Sequence, residues 1–160
     1  MKAVTIKQLK DELSHKSTLD LKELCLHLAR FKKENKELLT YLLFESQDEE
    51  TYIQTIKEEV SIQFSEINTN SFFYIRKSTR KILTAIKKHI RYSKKKETET
   101  ELLLYFCKQL KEFNPSISRS TRLQSIFDTQ VRMIKKAIEK LHEDLQYDFQ
   151  LELDELLENE

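Results

Sequence analysis

An all-α fold of six or seven antiparallel helices is what this sequence predicts, packed as a compact helical bundle or as a short αα-hairpin stack of the armadillo or HEAT kind. Three observations predict it. The 160 residues contain no glycine and one proline, where average usage near 7% would supply about 11 glycines. Apolar residues recur at three- and four-residue steps through most of the chain. The segments between these stretches are short and polar, which suits antiparallel neighbours.

The missing glycine also excludes functions. Glycine supplies positive φ and close backbone approach, which phosphate-cradling loops, two-residue hairpin turns and nucleophile elbows require. A P-loop, a dinucleotide-binding fingerprint, a glycine-rich kinase loop and a G-x-S-x-G hydrolase are thereby ruled out. At 19.2 kDa the chain reads as a single helical domain over residues 1–160 with enough apolar side chains for its own core. No apolar run approaches the roughly 18 residues of a membrane span, so no membrane is expected. Residues 1–9 lack the apolar stretch of a signal peptide, which gives a cytoplasmic reading. Cys25 and Cys107 lie in apolar helical stretches and read as free, buried and inert.

The elements follow in order. Residues 5–13 give a short first helix. Ser17 with Asp20 resembles a capping box and opens a helix to Lys33, with Leu21, Leu24, Cys25, Leu28 and Phe31 on one face. Asn35 is placed to end that helix in the left-handed conformation. Residues 36–45, with Leu38, Leu39, Tyr41, Leu42, Leu43 and Phe44, are apolar nearly all round and predict a central, buried helix. Ser46 and Glu49 form the next capping box, and the turn at residues 68–70 precedes a helix over 71–95. Another runs over 102–113 and stops before Pro115. Ser118 or Ser120 then caps a long last helix in which Phe127, Val131, Ile134, Ile138, Leu141 and Leu145 keep a 4-3-4-3-4 spacing. The tracts 23–35 and 101–114 are faintly alike, which keeps the hairpin stack open beside the bundle.

Chemistry-bearing constellations are sparse. Two Glu-x-x-His pairs occur, Glu12 with His15 and Glu139 with His142. Helical di-iron proteins use this spacing, but both ligands must then face inward. With the stripe of Phe127, Ile134 and Leu141 toward the core, Glu139 points the opposite way. Cys25 and His27 diverge by about 200° on a helix, and His27 and His89 read as helix-edge histidines. No catalytic residue, metal or cofactor is assigned, and the chain is not read as an enzyme.

Charge distribution is the informative feature. Lys plus Arg is 28 and Asp plus Glu is 27, yet residues 76–96 hold ten basic residues and no acidic one. After Lys140 there are eight acidic residues, Glu160 the last, and no Lys or Arg, so 143–160 reads as an acidic helix end that protrudes. On the 71–95 helix, Phe72, Ile75, Ile82, Leu83 and Ile90 fall within about 60° of Ile86. Arg76, Lys77, Arg80, Lys81, Lys87, Lys88, Arg91, Lys94 and Lys95 occupy an opposite arc of roughly 140°, a cationic stripe about 28 Å long. Phe73 lies inside the arc, with Tyr74 and Tyr92 at its border.

These nine cations are the candidate partner-binding residues. The expected function is macromolecular interaction as a scaffold or adaptor, through this stripe and the long C-terminal helix. The expected partner is an acidic protein surface, or the chain's own acidic segment through self-association such as a homodimer. The alternative is a nucleic-acid-binding regulator that tracks phosphates and stacks bases along the same stripe, though a pI near 7.7 is low for one. A third reading leaves the stripe as a merely solvated face.

Overall fold

The computed structural model describes residues 1–158, and it is all-α, with eight α-helices among them. Its contacts divide the chain into two units, Met1–Phe44 and Glu45 onward. The eighth helix arises because the long C-terminal stripe is two helices rather than one.

The first unit holds α1 (Ile6–Leu13), α2 (Thr18–Phe31) and α3 (Lys33–Thr40). Thr5 and Gln8 close a reciprocal capping box on α1, and the Ser17 hydroxyl accepts the Asp20 N–H at 3.1 Å to start α2. The α2 stop differs from expectation. Lys32, extended at φ −144° and ψ 138°, breaks the helix. Asn35 is helical within α3, and its side-chain amide donates to the Leu28 carbonyl at 2.8 Å. Asn35 therefore satisfies an orphan carbonyl of α2 with its side chain, not by a left-handed backbone.

Packing corrects the expectation of a buried helix at 36–45. The α3 helix ends at Thr40 and runs into a π-helical turn, Tyr41–Glu45. Leu42, Leu43 and Phe44 are 54%, 55% and 74% exposed, and Tyr41 is the one buried residue of the first 44. Three short helices, of which α2 packs along α3, are too few to surround any one of them. Cys25 is exposed as well, against the expectation that both thiols are buried.

The second unit contains α4 (Glu49–Ser65), α5 (Phe72–Ser93), α6 (Lys96–Lys111), α7 (Thr121–Ile138) and α8 (Glu143–Glu158). The cap of α4 is Asp48 rather than Ser46: its carboxylate accepts the Thr51 N–H at 3.1 Å and the Thr51 hydroxyl at 2.7 Å. The Thr51 hydroxyl, then the Thr51 N–H, hold the Asp48 carboxyl below its ordinary value. Asn68 Oδ1 accepts the Asn70 N–H at 2.9 Å, an Asx turn that redirects the chain into α5. Ser120, not Ser118, caps α7.

The buried centre is α6. It packs against α4, α5, α7 and α8, and buries Thr98, Thr100, Leu102, Leu103, Leu104, Phe106, Cys107 and Leu110. It starts at Lys96, six residues earlier than its apolar run suggests, because both threonines find polar partners inside. Thr98 donates to Glu49 at 2.6 Å and Thr100 to the Lys96 carbonyl at 2.8 Å. The contacts of α6 with α4 and α8, two places away in sequence, and with α5 and α7 place it at the centre of this unit. The unit is a bundle around a central helix. The two faintly similar tracts have opposite environments, 101–114 in this core and 23–35 largely exposed.

The C-terminal stripe breaks at residues 139–142. The side-chain amide of Gln146 donates to the carbonyls of Leu141 at 2.8 Å and Glu139 at 3.2 Å, which ties the corner. The break turns α8 back, so that Phe149 and Leu153 enter the core against α6 and α7. A straight helix would carry both into solvent.

Two predictions follow from burial. Leu103→Ala or Phe106→Ala should destabilise the second unit by about 3–5 kcal/mol in chemical denaturation, whereas Leu28→Ala, at an exposed site, should change stability by less than about 0.5 kcal/mol. Burial pushes the Cys107 thiol up to about 12, so a thiol-reactive probe should modify Cys25 alone in the native protein and both cysteines after denaturation. Native labelling of Cys107 at a comparable rate would contradict this packing.

Candidate functional site

The α5 helix is positioned by its apolar face. Ser71 caps its start by accepting the Tyr74 N–H at 3.4 Å, and Ile75, Thr79, Ile82, Leu83, Ile86 and Tyr92 are buried. The opposite face carries the cations. Lys77, Arg80, Lys81 and Arg91 are exposed, while Arg76, Lys87 and Lys88 are half-buried. Half-burial of long cationic side chains means that stems cover apolar surface while the charge reaches outward. The Lys87 ammonium lies 3.6 Å from the Met133 sulfur on α7.

Helix α5 ends before the last two predicted cations. Lys94 adopts φ 60° as the left-handed C-cap, the position at which glycine is commonest. Lys95 is extended and pairs with Glu49 at 3.5 Å. Glu49 also accepts the hydroxyls of Ser93 and Thr98. Lys95 thus belongs to a polar clasp that joins α4, α5 and α6. The continuous face runs from Arg76 to Arg91, about 23 Å at 1.5 Å per residue, shorter than the sequence suggests.

The fold adds two arginines that sequence spacing did not single out. Arg119 lies over the Phe72 ring at 5.8 Å, and Arg122 on α7 lines a groove together with Arg80. Both follow a loop that no periodicity relates to α5, so only tertiary packing brings Arg119 over Phe72 and Arg122 into a groove with Arg80. At the same end, Phe73 and Tyr74 are 58% and 46% exposed and meet edge-to-face at 5.5 Å. The Arg76 guanidinium lies 5.9 Å from the Phe73 ring centre, within cation–π range. Tyr92, expected at the border of the arc, is buried against His89 at 5.9 Å.

The acidic segment lies against other cations. Glu152 and Glu155 of α8 line a groove with Lys57, Lys108 and Lys111 of α4 and α6. Lys57 pairs with Glu101 at 2.7 Å, and the Lys111 ammonium donates to the Leu156 carbonyl. Glu160 lies outside the described residues.

The remaining candidates separate. Glu139 and His142 straddle the break between α7 and α8, so they share no helix face. Glu12 and His15 are exposed on and just after α1, and the His15 Nδ1 is bonded to the Asp11 carbonyl at 2.7 Å. His89 Nδ1 meets the Tyr52 hydroxyl at 2.8 Å, a helix-edge arrangement as expected. Among the described residues no three His, Cys, Asp or Glu side chains gather as a metal-ligand set.

Desolvation, and then the nearby Glu101 charge, raise the Glu152 carboxyl above its ordinary value, against the lowering pull of Lys57. A carboxyl raised on folding binds its proton more tightly in the native state, so stability falls as pH rises through that range. Glu152→Gln should therefore stabilise the protein at neutral pH by a few tenths of a kcal/mol, as fits a largely exposed site. That gain should vanish below about pH 4, where both forms are neutral; paired denaturation curves at the two pH values check it.

Comparison with known proteins finds no matching family model, no matching curated protein and no matching solved structure.

Proposed function

We propose that the chain is a non-enzymatic macromolecular-interaction protein, a scaffold or adaptor, that offers the cationic face of α5 to an acidic protein surface. The observation that carries this reading is the segregation along α5. Its apolar residues are committed to the bundle, so the cations face outward, and α8's Glu152 and Glu155 are placed beside Lys57, Lys108 and Lys111 instead. A face of one sign steers an oppositely charged partner. A second copy of the chain is the homodimeric form of the same reading.

The first unit supports an interaction role independently. Ile6, Leu19, Leu28 and Phe31 are 80%, 66%, 58% and 78% exposed, and extensive exposed apolar surface marks interaction sites. Among the described residues no helix is long and apolar enough to cross a membrane. Two unpaired cysteines suit a reducing compartment, so we place the protein in the cytoplasm.

One observation favours a nucleic-acid reading. The exposed Phe73–Tyr74 pair beside Arg76 resembles a stacking platform next to a phosphate track. The two readings separate on Phe73→Ala, which should weaken oligonucleotide binding by about 1–3 kcal/mol and leave binding to an acidic polypeptide unchanged.

The direct test uses the exposed stripe residues in a Lys77→Glu, Lys81→Glu, Arg91→Glu variant. Binding to poly-L-glutamate should weaken at least tenfold, about 1.4 kcal/mol, with stability within about 1 kcal/mol of the parent. Wild-type affinity in that variant would remove the stripe from the account. Light scattering at about 50 mM and about 500 mM salt should show any dimer held by the stripe dissociating at the higher value, where screening is nearly complete.

A further inference from the structure

We propose that the apolar seam of α2 is a dimerisation surface, covered by the same seam of a second copy of the chain in antiparallel order. Of the eighteen large apolar side chains exposed among the described residues, thirteen lie in the first 44. The three helices of this unit have 8, 14 and 8 residues, and isolated helices shorter than about 12–15 residues are marginal in water. Units near 40 residues usually reach stability through disulfides, metals or association. The one thiol of this unit, Cys25, is exposed and free, and no metal-ligand set is found among the described residues. Association is the route left.

The shape of the seam selects its occupant. Leu21, Leu24, Leu28 and Phe31 keep a 3-4-3 spacing and fall within an arc of about 80° at about 100° per residue. Their exposure rises from 36% at Leu21 to 78% at Phe31. The half-buried residues of α2 are Leu26, opposite the seam, and Ala29; α2 packs along α3. A narrow 3-4 seam fits a second helix that carries the same spacing. A two-fold axis at Leu26 makes α2 its own complement, as an isologous contact requires. It layers Leu21 on the partner's Phe31 and Leu24 on the partner's Leu28. It also sets Asp20, in the first turn of α2, at the level of the partner's Lys32, which ends the helix, and it opposes the two helix dipoles. A parallel pair would align Asp20 with Asp20 and Phe31 with Phe31. The four side chains expose on the order of 400 Å², at about 200 Å² for each when fully open. That is half of the roughly 800 Å² that a standard interface takes from each partner, so the dimer is weak, with dissociation in the micromolar range.

None of the nine cations of the stripe lies in α2, so this dimer and the stripe reading fail separately. The test is light scattering of the full chain at about 500 mM salt, where attraction through the stripe is screened. Mass should rise from monomer toward dimer across the micromolar range. Leu24→Glu and Phe31→Glu should each raise the dissociation constant at least tenfold. Ile62→Glu, at a site on α4 that is 57% exposed, and the Lys77→Glu, Lys81→Glu, Arg91→Glu variant should each change it by less than about threefold. Crosslinking reads the register without disturbing the seam. In a Cys25→Ser background, a mixture of Asp20→Cys and Lys32→Cys chains should form a mixed disulfide faster than either chain couples with itself. A chain still monomeric at about 200 μM, where a micromolar dimer is nearly complete, would overturn the proposal. So would an undiminished dimer in Phe31→Glu, or self-coupling as fast as mixed coupling. A monomer that binds anionic phospholipid vesicles, and loses them in Phe31→Glu, would reassign the seam to a lipid surface.

Discussion

Packing of α6 against four helices is the constraint from which the second unit is built. A helix that packs against four others keeps its charge on the strip where Glu101, Lys108 and Lys111 line a groove, and from Leu102 to Leu110 its buried positions are apolar, Cys107 included. Each fully buried leucine or phenylalanine contributes about 1.5–3 kcal/mol by area, large beside a typical net stability of 5–15 kcal/mol. The polar residues at its start are tolerated because Glu49 collects the Thr98, Ser93 and Lys95 groups into one clasp. That clasp fixes where α5 ends and α6 begins. Phe64 of α4 reaches the same core, 5.8 Å from Phe106.

The placement of charge follows from this packing. Since α6 occupies the centre, α5 and α8 each turn one apolar face inward and one charged face elsewhere. The cations of α5 reach solvent along Lys77, Arg80, Lys81 and Arg91. The α8 helix reaches α6 through Phe149 and Leu153, which brings Glu152 and Glu155 to Lys57, Lys108 and Lys111. Opposite charges that form two blocks in sequence are thereby given separate neighbours in the fold. The first unit follows a different rule, with side chains such as Phe31 and Phe44 in solvent.

Helix periodicity made most of the architecture legible. The all-α class, the capping role of Ser17 and the two-faced character of α5 can all be read from residue spacing. What spacing cannot show is which helix is surrounded. Residues 36–45 are apolar nearly all round, yet Leu42 and Phe44 are exposed, because burial needs neighbours as well as apolar side chains. The break at 139–142 was hidden for a related reason. The 4-3 stripe continues through Leu141 and Leu145, and only Gln146, whose amide ties the corner, marks the turn. Arg119 comes over Phe72, and Arg122 shares a groove with Arg80, through the fold alone.

Native-state hydrogen exchange tests the central claim most directly, because it reads the free energy of opening along the backbone. A bundle organised around α6 predicts that the slowest amides lie between Leu102 and Leu110, with α1 and α2 exchanging orders of magnitude faster. Slowest exchange in α2 or α3, or uniform protection across both units, would contradict the account.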